Sequence, residues 1–216
     1  MGSLSPPPTA GVAGARPRYL VVALVVALVF AAGCWTEGCA RLQFYRGGSE
    51  AGAVLNAQIH DDSDRTEVED LYKRYTDTAE NARKRAVPMA AAMFVLGAAL
   101  LALAARGLAG RTNARSALVQ VVAAQAILVV AHNFVMRDVI EAELDWHLAR
   151  TLAQQREALK PEEFAKVAPV VRDARRWGGP AWLVVRTLAS GLIIVALTRR
   201  RSREFFDAAG NPAPER

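Results

Sequence analysis

Four long apolar segments constrain the fold of this chain more than any other feature of its sequence. They cover residues 19–35, 87–105, 116–136 and 179–198. Their lengths of 17 to 21 residues lie within the range of about 17–25 residues with which helices cross a hydrocarbon core of about 30 Å, the shortest with local thinning of the bilayer. The sequence therefore predicts an all-α membrane protein with four transmembrane helices and the lipid bilayer as its first partner.

The third apolar segment belongs to a longer helix-compatible stretch. Between Gly110 and Pro161 the chain contains neither Gly nor Pro. We therefore predict one helix over 113–159, whose apolar first half lies in the membrane and whose charged second half stands in water. This helix would carry a helical extracytoplasmic domain built from residues 36–86 and 137–178.

The two charged connections show helical patterns of their own. Residues 37–60 lack a sustained period and are expected to be mostly irregular, and a helix is expected over 66–86, begun by capping-box spacing at Asp64 and Glu67. Its apolar residues recur at steps of three and four, as in a coiled coil: Val68, Tyr72, Tyr75, Ala79, Ala82 and Ala86. Two further apolar seams are predicted. One follows the third span, at Ile140, Leu144, Leu148, Leu152 and Leu159, and the other lies on a helix that begins at Pro161, at Phe164, Val167, Val171, Ala174 and Trp177.

Charge predicts the orientation. The net charge is +6, and the basic surplus lies in the loop 106–115, which has three Arg and no acid, and in the tail 199–216, which has four Arg among its first five residues. By the positive-inside rule, both termini face the cytoplasm of a bacterial-type inner membrane and the long connections face the periplasm. No surplus is left to indicate nucleic-acid binding. Residues 1–18, rich in Pro, Gly, Ala and Ser, are expected to be disordered.

Two cysteines lie at the end of the first apolar segment. The sequence Ala31-Ala32-Gly33-Cys34 resembles a bacterial lipoprotein cleavage box. The resemblance implies removal of residues 1–33 and lipidation of Cys34, whereas the alternative is that residues 19–35 remain as the first span. A disulfide between Cys34 and Cys39 is a further alternative, provided that the chain between them is not helical.

Polar residues inside the apolar segments are the candidate functional residues, because such groups are costly in a membrane unless they are paired. They are His132, Asn133, Arg186, Gln120 and Gln125. We expect His132 to bond Asn133 or a neighbouring helix. We expect Arg186 to pair with Asp138 or Glu141 just beyond the third span, and the two Gln residues to form hydrogen bonds between helices.

The sequence predicts no metal site and no cofactor. The group Glu141, Glu143, Asp145 and His147 lacks the Glu-x-x-His spacing of carboxylate-bridged metal sites. No nucleophile and base occur at a meaningful spacing, so we expect a non-enzymatic scaffold or sensory subunit whose outer helices bind a protein partner or a second copy. The alternatives are a transporter or channel component that uses the polar intramembrane residues, and a haem- or quinone-binding redox subunit.

Overall fold

The computed structural model describes residues 17–47, 59–109 and 114–210, with side chains as far as Asp207. Within these ranges the chain is helical throughout, apart from short connections: α1 Arg18–Tyr45, α2 Asp62–Leu108, α3 Ala114–Val135, α4 Arg137–Ala158, α5 Pro161–Thr198 and α6 Arg200–Gly210. Helices α1, α2, α3 and α5 are long and apolar enough to cross a membrane, which confirms the predicted four. The expectation of disorder for residues 1–18 lies outside the described residues, except for the last two.

The helices form two sections, each with its own core. In the first, which we call the span bundle, the apolar segments pack around a set of buried residues that includes Leu20, Leu24, Leu100, Leu118, Ile193 and Leu197. In the second, which we call the extension, residues 36–47, 59–86 and 137–178 continue beyond the bundle. Its core includes Tyr45, Val68, Tyr75, Met136, Val139 and Trp146. Because α1, α2 and α5 run through both sections, the extension is built on the same helices as the bundle.

Helices α1 and α2 approach each other more closely than ordinary side chains allow. A Cβ atom on Gly38 would lie 2.5 Å from the backbone nitrogen of Phe94, and one on Gly97 would lie 2.5 Å from that of Trp35. The antiparallel backbones therefore touch, an arrangement common between membrane helices because small residues permit it. Gly38 does not end α1, which continues to Tyr45, so the expected irregular chain over 37–60 is wrong for its first part.

The seam predicted on α2 is confirmed: Tyr72 is partly buried and its five other members are buried. The helix begins earlier than predicted. Asp61, rather than Asp64, is the N-cap, and its carboxylate accepts hydrogen bonds from the backbone N–H groups of Ser63 and Asp64 at 2.9 and 3.0 Å. The helix then continues through Pro88 to the end of the second apolar segment.

The long helix predicted over 113–159 is interrupted once, at Met136, where φ is −106° and ψ is 17°. One turn earlier, the Asn133 side chain donates to the Val129 carbonyl at 2.9 Å. Such side-chain bonds compete with the backbone for the same acceptor and bend helices, which explains a break at this point. Backbone bonds of 2.9 Å from Met136 to His132 and from Ile140 to Met136 keep α3 and α4 joined.

The seam predicted on α4 is only partly buried, since Ile140, Leu148, Leu152 and Leu159 are half-buried. The buried residues are Val139, Ala142, Trp146 and Ala153, while Leu144 is exposed. The reason is aromatic packing: the Trp146 ring stacks on Tyr75 at a centroid distance of 5.8 Å and contacts Tyr72 at 4.8 Å. Burying the indole ring removes more apolar surface than burying a Leu, so the helix presents the Trp146 face.

Helix α5 passes without interruption through Gly178, Gly179 and Pro180, residue types that are typical of helix ends. A helix satisfies its backbone groups internally, which favours continuity where the chain enters an apolar environment. The stripe predicted on its first half is only partly buried. Phe164, Val167 and Val171 are half-buried, whereas Ala174 and Trp177 are exposed.

Candidate functional site

A polar cavity lies where the span bundle meets the extension. Its volume is about 170 Å³, and five helices contribute to its lining. The lining residues are Glu37 and Arg41 from α1, Met93 from α2, Val129, His132 and Asn133 from α3, Ile140 from α4, and Gly179, Trp182, Leu183 and Arg186 from α5. Three of the five polar residues predicted as candidates therefore meet in one place.

The His132 side chain is 5% exposed. Neither of its ring nitrogens has a hydrogen-bond partner in the described part of the chain. The expected bond to Asn133 is not formed, because the Asn133 amide donates to the Val129 carbonyl one turn back. A neutral imidazole has one N–H donor and one nitrogen acceptor, so a buried ring without partners is costly unless something else supplies them.

The Arg186 side chain also has an unsatisfied group beside this cavity. Its Nη2 is buried without a hydrogen-bond partner among the described residues, and the guanidinium carbon lies 5.8 Å from the Phe30 ring centroid. The expected pair with Asp138 or Glu141 is not formed. These carboxylates are 51% and 58% exposed on α4 and pair with Arg85 and Arg137, so neither is available to Arg186.

The two Gln candidates lie in different environments. Gln125 is buried, and its side-chain amide donates to the Phe30 carbonyl at 3.2 Å, linking α3 to α1 as expected. Gln120 is exposed on the same helix. The five-residue spacing gives the two side chains different directions.

Both cysteines are free. Cys34 is buried and donates to the Met93 carbonyl at 3.3 Å, and it lies close enough to Gln125 and Arg186 to interact with both side chains. Cys39 is partly buried on the same continuous helix. Side chains five positions apart on a helix point in different directions, so the proposed disulfide is incompatible with α1 as observed.

Arg41 is a residue that the sequence reasoning missed. Its Nε lies 3.3 Å from Glu37 and its Nη2 lies 3.3 Å from Glu143, so it links α1 to α4 at the rim of the cavity. The i,i+4 spacing of Glu37 and Arg41 was a usable signal for the first contact. Because Arg41 neutralises Glu37, Arg186 is the cationic lining residue for which the described chain provides no carboxylate.

The carboxylates of the acidic group on α4 take part in ion pairs. Glu141, Glu143 and Asp145 each pair with an arginine, namely Arg137, Arg41 and Arg175. In the ranges that the structure describes, no three or more His, Cys, Asp or Glu residues come together in a way that could hold a metal ion. These carboxylates instead fix the positions of neighbouring helices.

Comparisons with models of protein families, with curated proteins and with solved structures find no match to this chain. The chemistry of the polar cavity is therefore judged from its own residues. The guanidinium Nη2 of Arg186 and the imidazole N–H of His132 are both donors, and neither has an acceptor among the residues that the structure describes. The arrangement suits a ligand group that carries negative charge and accepts several hydrogen bonds.

Proposed function

We propose that this chain is a non-enzymatic, multi-pass membrane protein that binds a small anionic group in the polar cavity, at the outer boundary of a bacterial-type inner membrane. The observation that carries the proposal is that both ring nitrogens of His132 and the Nη2 of Arg186 are buried beside the same cavity without hydrogen-bond partners among the described residues. A carboxylate or a phosphate would accept hydrogen bonds from both. It would also neutralise a guanidinium that is costly inside a membrane.

The placement at the outer boundary rests on two features. Trp35, Trp177 and Trp182 are exposed near the cavity end of the bundle, and tryptophan is enriched where membrane meets water. The described arginines of the loop, Arg106 and Arg115, and those of α6 lie at the opposite end, next to the core residues Ala104, Ala114 and Phe206. Together they support an extension outside the membrane and cytoplasmic termini.

The size of the cavity limits the ligand. A volume of about 170 Å³ is smaller than the roughly 300–1,000 Å³ of sites for drug-sized molecules. It accommodates a single carboxylate or phosphate, with Trp182 and Leu183 available to contact a short alkyl group. The ligand class is therefore a small anion or the anionic end of a larger amphiphile.

A sensing role is favoured over transport. At the end of the bundle away from the cavity, the described core is apolar, with Leu20, Leu24 and Leu118 fully buried, so it provides no continuous polar path. The cavity does contact the extension, through Arg41 and Ile140. A bound anion would compete with Glu143 for Arg41, beside the interruption at Met136, and would so change how α4 is held.

Ligand binding to the full-length protein in lipid nanodiscs tests the proposal. Acetate, octanoate and inorganic phosphate are titrated separately by isothermal calorimetry, and tryptophan fluorescence reports on Trp182. We expect saturable binding of at least one anion, weakened about tenfold or more by Arg186→Gln and by His132→Leu, since a hydrogen bond to a charged group contributes about 1.5–3 kcal/mol. Gln120→Ala, on the exposed face of α3, is the matched control and should bind normally.

Two results would overturn the proposal. One is the absence of saturable binding for all three anions, which would leave water as the occupant of the cavity. The other is unchanged affinity in the Arg186→Gln, His132→Leu double variant, which would place any binding elsewhere.

A second candidate function is contact with a protein partner or a second copy through the extension. It is favoured by two large apolar residues that are exposed on the extension half of α5. Val170 is 65% exposed and Trp177 is 64% exposed. Chemical crosslinking in native membranes tests it, with Val170→Asp as the disrupting variant and Arg172→Asp as its polar control. Recovery of the wild-type chain only as a monomer would count against this function.

A further inference from the structure

A second cavity lies between α1 and α5, at the end of the span bundle away from the polar cavity. Its volume is about 310 Å³. Its walls are apolar except at one end, where Tyr19 and Arg199 lie; the other lining residues are Val22, Ala23, Val26, Ala189, Leu192, Ile193, Val195 and Ala196. We call it the apolar groove. Because Val22, Leu192 and Val195 are exposed, the groove opens onto the surface that would face lipid.

The side chains at the polar end of the groove are held in place by contacts with one another. The Arg199 guanidinium carbon lies 5.5 Å from the Tyr19 ring centroid, and the Tyr19 hydroxyl lies 3.1 Å from the Ser202 hydroxyl. Ser202 in turn donates to the Ala196 carbonyl at 2.7 Å, so Tyr19 is the donor in the first bond. This chain of contacts fixes the aromatic ring over which Arg199 sits.

Helix α6 gathers further positive charge around this end. Ser202 and Phe206 are buried against the bundle, while Arg200, Arg201 and Arg203 are exposed. Glu204 pairs with Arg200 at 2.8 Å, and no carboxylate pairs with Arg199 in the part of the chain that the structure describes. The mouth of the groove is thus basic, and its interior is apolar.

We propose that the apolar groove holds an acyl chain of an anionic phospholipid whose phosphate is bound by Arg199. From the level of Arg199 to that of Ala189 the groove follows ten residues of α5, about 15 Å at ~1.5 Å per residue, which matches much of an acyl chain in one leaflet. A soluble anion would gain nothing from the apolar walls, whereas a phospholipid fills both parts. The arginines of α6 strengthen the preference for negatively charged headgroups.

Lipid retention by the purified full-length chain tests this assignment. Native mass spectrometry compares phosphatidylglycerol with phosphatidylcholine of the same acyl composition, and inorganic phosphate is the soluble probe. We expect phosphatidylglycerol to bind about fivefold more tightly or better, and phosphate alone not to bind at this end. Arg199→Gln should abolish the preference, and Ala196→Phe, which fills the groove, should reduce retention of both lipids.

Arg201→Gln is the matched control, because Arg201 is exposed on α6 and does not line the groove. It should leave the lipid preference close to that of the wild type. Equal retention of both lipids by the wild-type chain would overturn the proposal, and this result does not depend on any variant folding. Equal losses in Arg199→Gln and Arg201→Gln would also overturn it, by showing a diffuse surface attraction. Displacement of phosphatidylglycerol by inorganic phosphate would assign the site to a soluble anion instead.

Discussion

At the scale of single residues, the contact between α1 and α2 leaves the least room for an added side-chain atom. Gly97→Ala would place a Cβ atom 2.5 Å from the Trp35 backbone nitrogen, and a backbone atom cannot move away as a flexible side chain can. We expect overpacking to cost about 1–3 kcal/mol, more than the ~1 kcal/mol that alanine gains over glycine in a helix. Thermal unfolding in detergent should show a lower midpoint.

Gly33→Ala is the control for this prediction. It lies on the same helix pair, and a Cβ atom there would meet nothing within 4 Å. Helix propensity should then act alone and raise the unfolding midpoint slightly. If the unfolding midpoints of Gly97→Ala and Gly33→Ala shift in the same direction by similar amounts, the two backbones do not approach as closely as described.

A second residue-scale prediction concerns pH. The Glu157 carboxylate accepts hydrogen bonds from the backbone N–H groups of His60 and Asp61 at 2.6 and 3.1 Å, and these bonds hold its pKa below the usual value of 4.5. A lowered folded-state pKa means that this stabilisation is present above the unfolded pKa and is lost as the pH falls through the folded one. Protection of the His60 and Asp61 amides from hydrogen exchange, corrected for intrinsic rates, should therefore fall in acid, as the pH drops below the usual carboxyl pKa of 4.5.

Glu157→Gln separates charge from geometry in that experiment. The amide oxygen can still accept a hydrogen bond but does not titrate in this range. Protection in the variant should be weaker at neutral pH and should not show the same acid-induced loss. An identical pH profile in both proteins would assign the effect to another group.

Single residues also show how far the sequence could define the site. His132 and Arg186 were found from one fact, a costly polar group in an apolar segment, and that fact holds whatever surrounds them. Their partners could not be predicted, because Asp138 and Glu141 are near in sequence but exposed on α4. Arg41 was missed because its contact with Glu143 spans 102 residues and depends on helix packing that no local pattern encodes.

At the scale of whole elements, α4 depends on one aromatic contact. Trp146 stacks on Tyr75 and is buried in the core of the extension. Trp146→Ala should lower the free energy of unfolding by about 3–5 kcal/mol, because it removes a large buried ring and leaves a cavity. Equilibrium unfolding in detergent measures the loss.

Trp177→Ala is the matched control, since its indole is 64% exposed on α5. A surface substitution of this kind should change the stability by about 0.5 kcal/mol or less. Comparable losses in the two variants would contradict the assignment of Trp146 to the extension core.

The elements show which sequence signals were reliable. Apolar seams with aromatic and alanine residues located the buried face of α2, because no competing face was available. On α4 the leucines lie on a face that is only partly buried, whereas the face with Trp146 is buried, so periodicity alone did not identify the most buried face. Gly and Pro are typical of helix ends, yet α1 continues through Gly38 and α5 through Pro180. Gly38 permits the close contact with α2, and Pro180 removes only one backbone donor.

At the scale of the whole molecule, the span bundle and the extension share continuous helices. Helices α1 and α2 run through both the span bundle and the extension, and the polar cavity lies at the junction. We therefore expect a change at the cavity to reach the extension through these continuous helices. If all four apolar helices cross the membrane, their even number places both termini on the same side, and the charge distribution predicts that this side is the cytoplasm.

Labelling of single cysteines checks this topology. Cys34→Ser and Cys39→Ser provide the background, and Asp70→Cys and Arg201→Cys place one exposed thiol in the extension and one on α6. Because the Arg-rich end is expected in the cytoplasm, a membrane-impermeant maleimide should label Asp70→Cys in intact cells and Arg201→Cys only after permeabilisation. The opposite pattern would invert the orientation and place the polar cavity at the cytoplasmic boundary. Labelling of both thiols in intact cells would mean that the two ends are not separated by a membrane, and the unpaired charge of Arg186 would then need no anion to stabilise it.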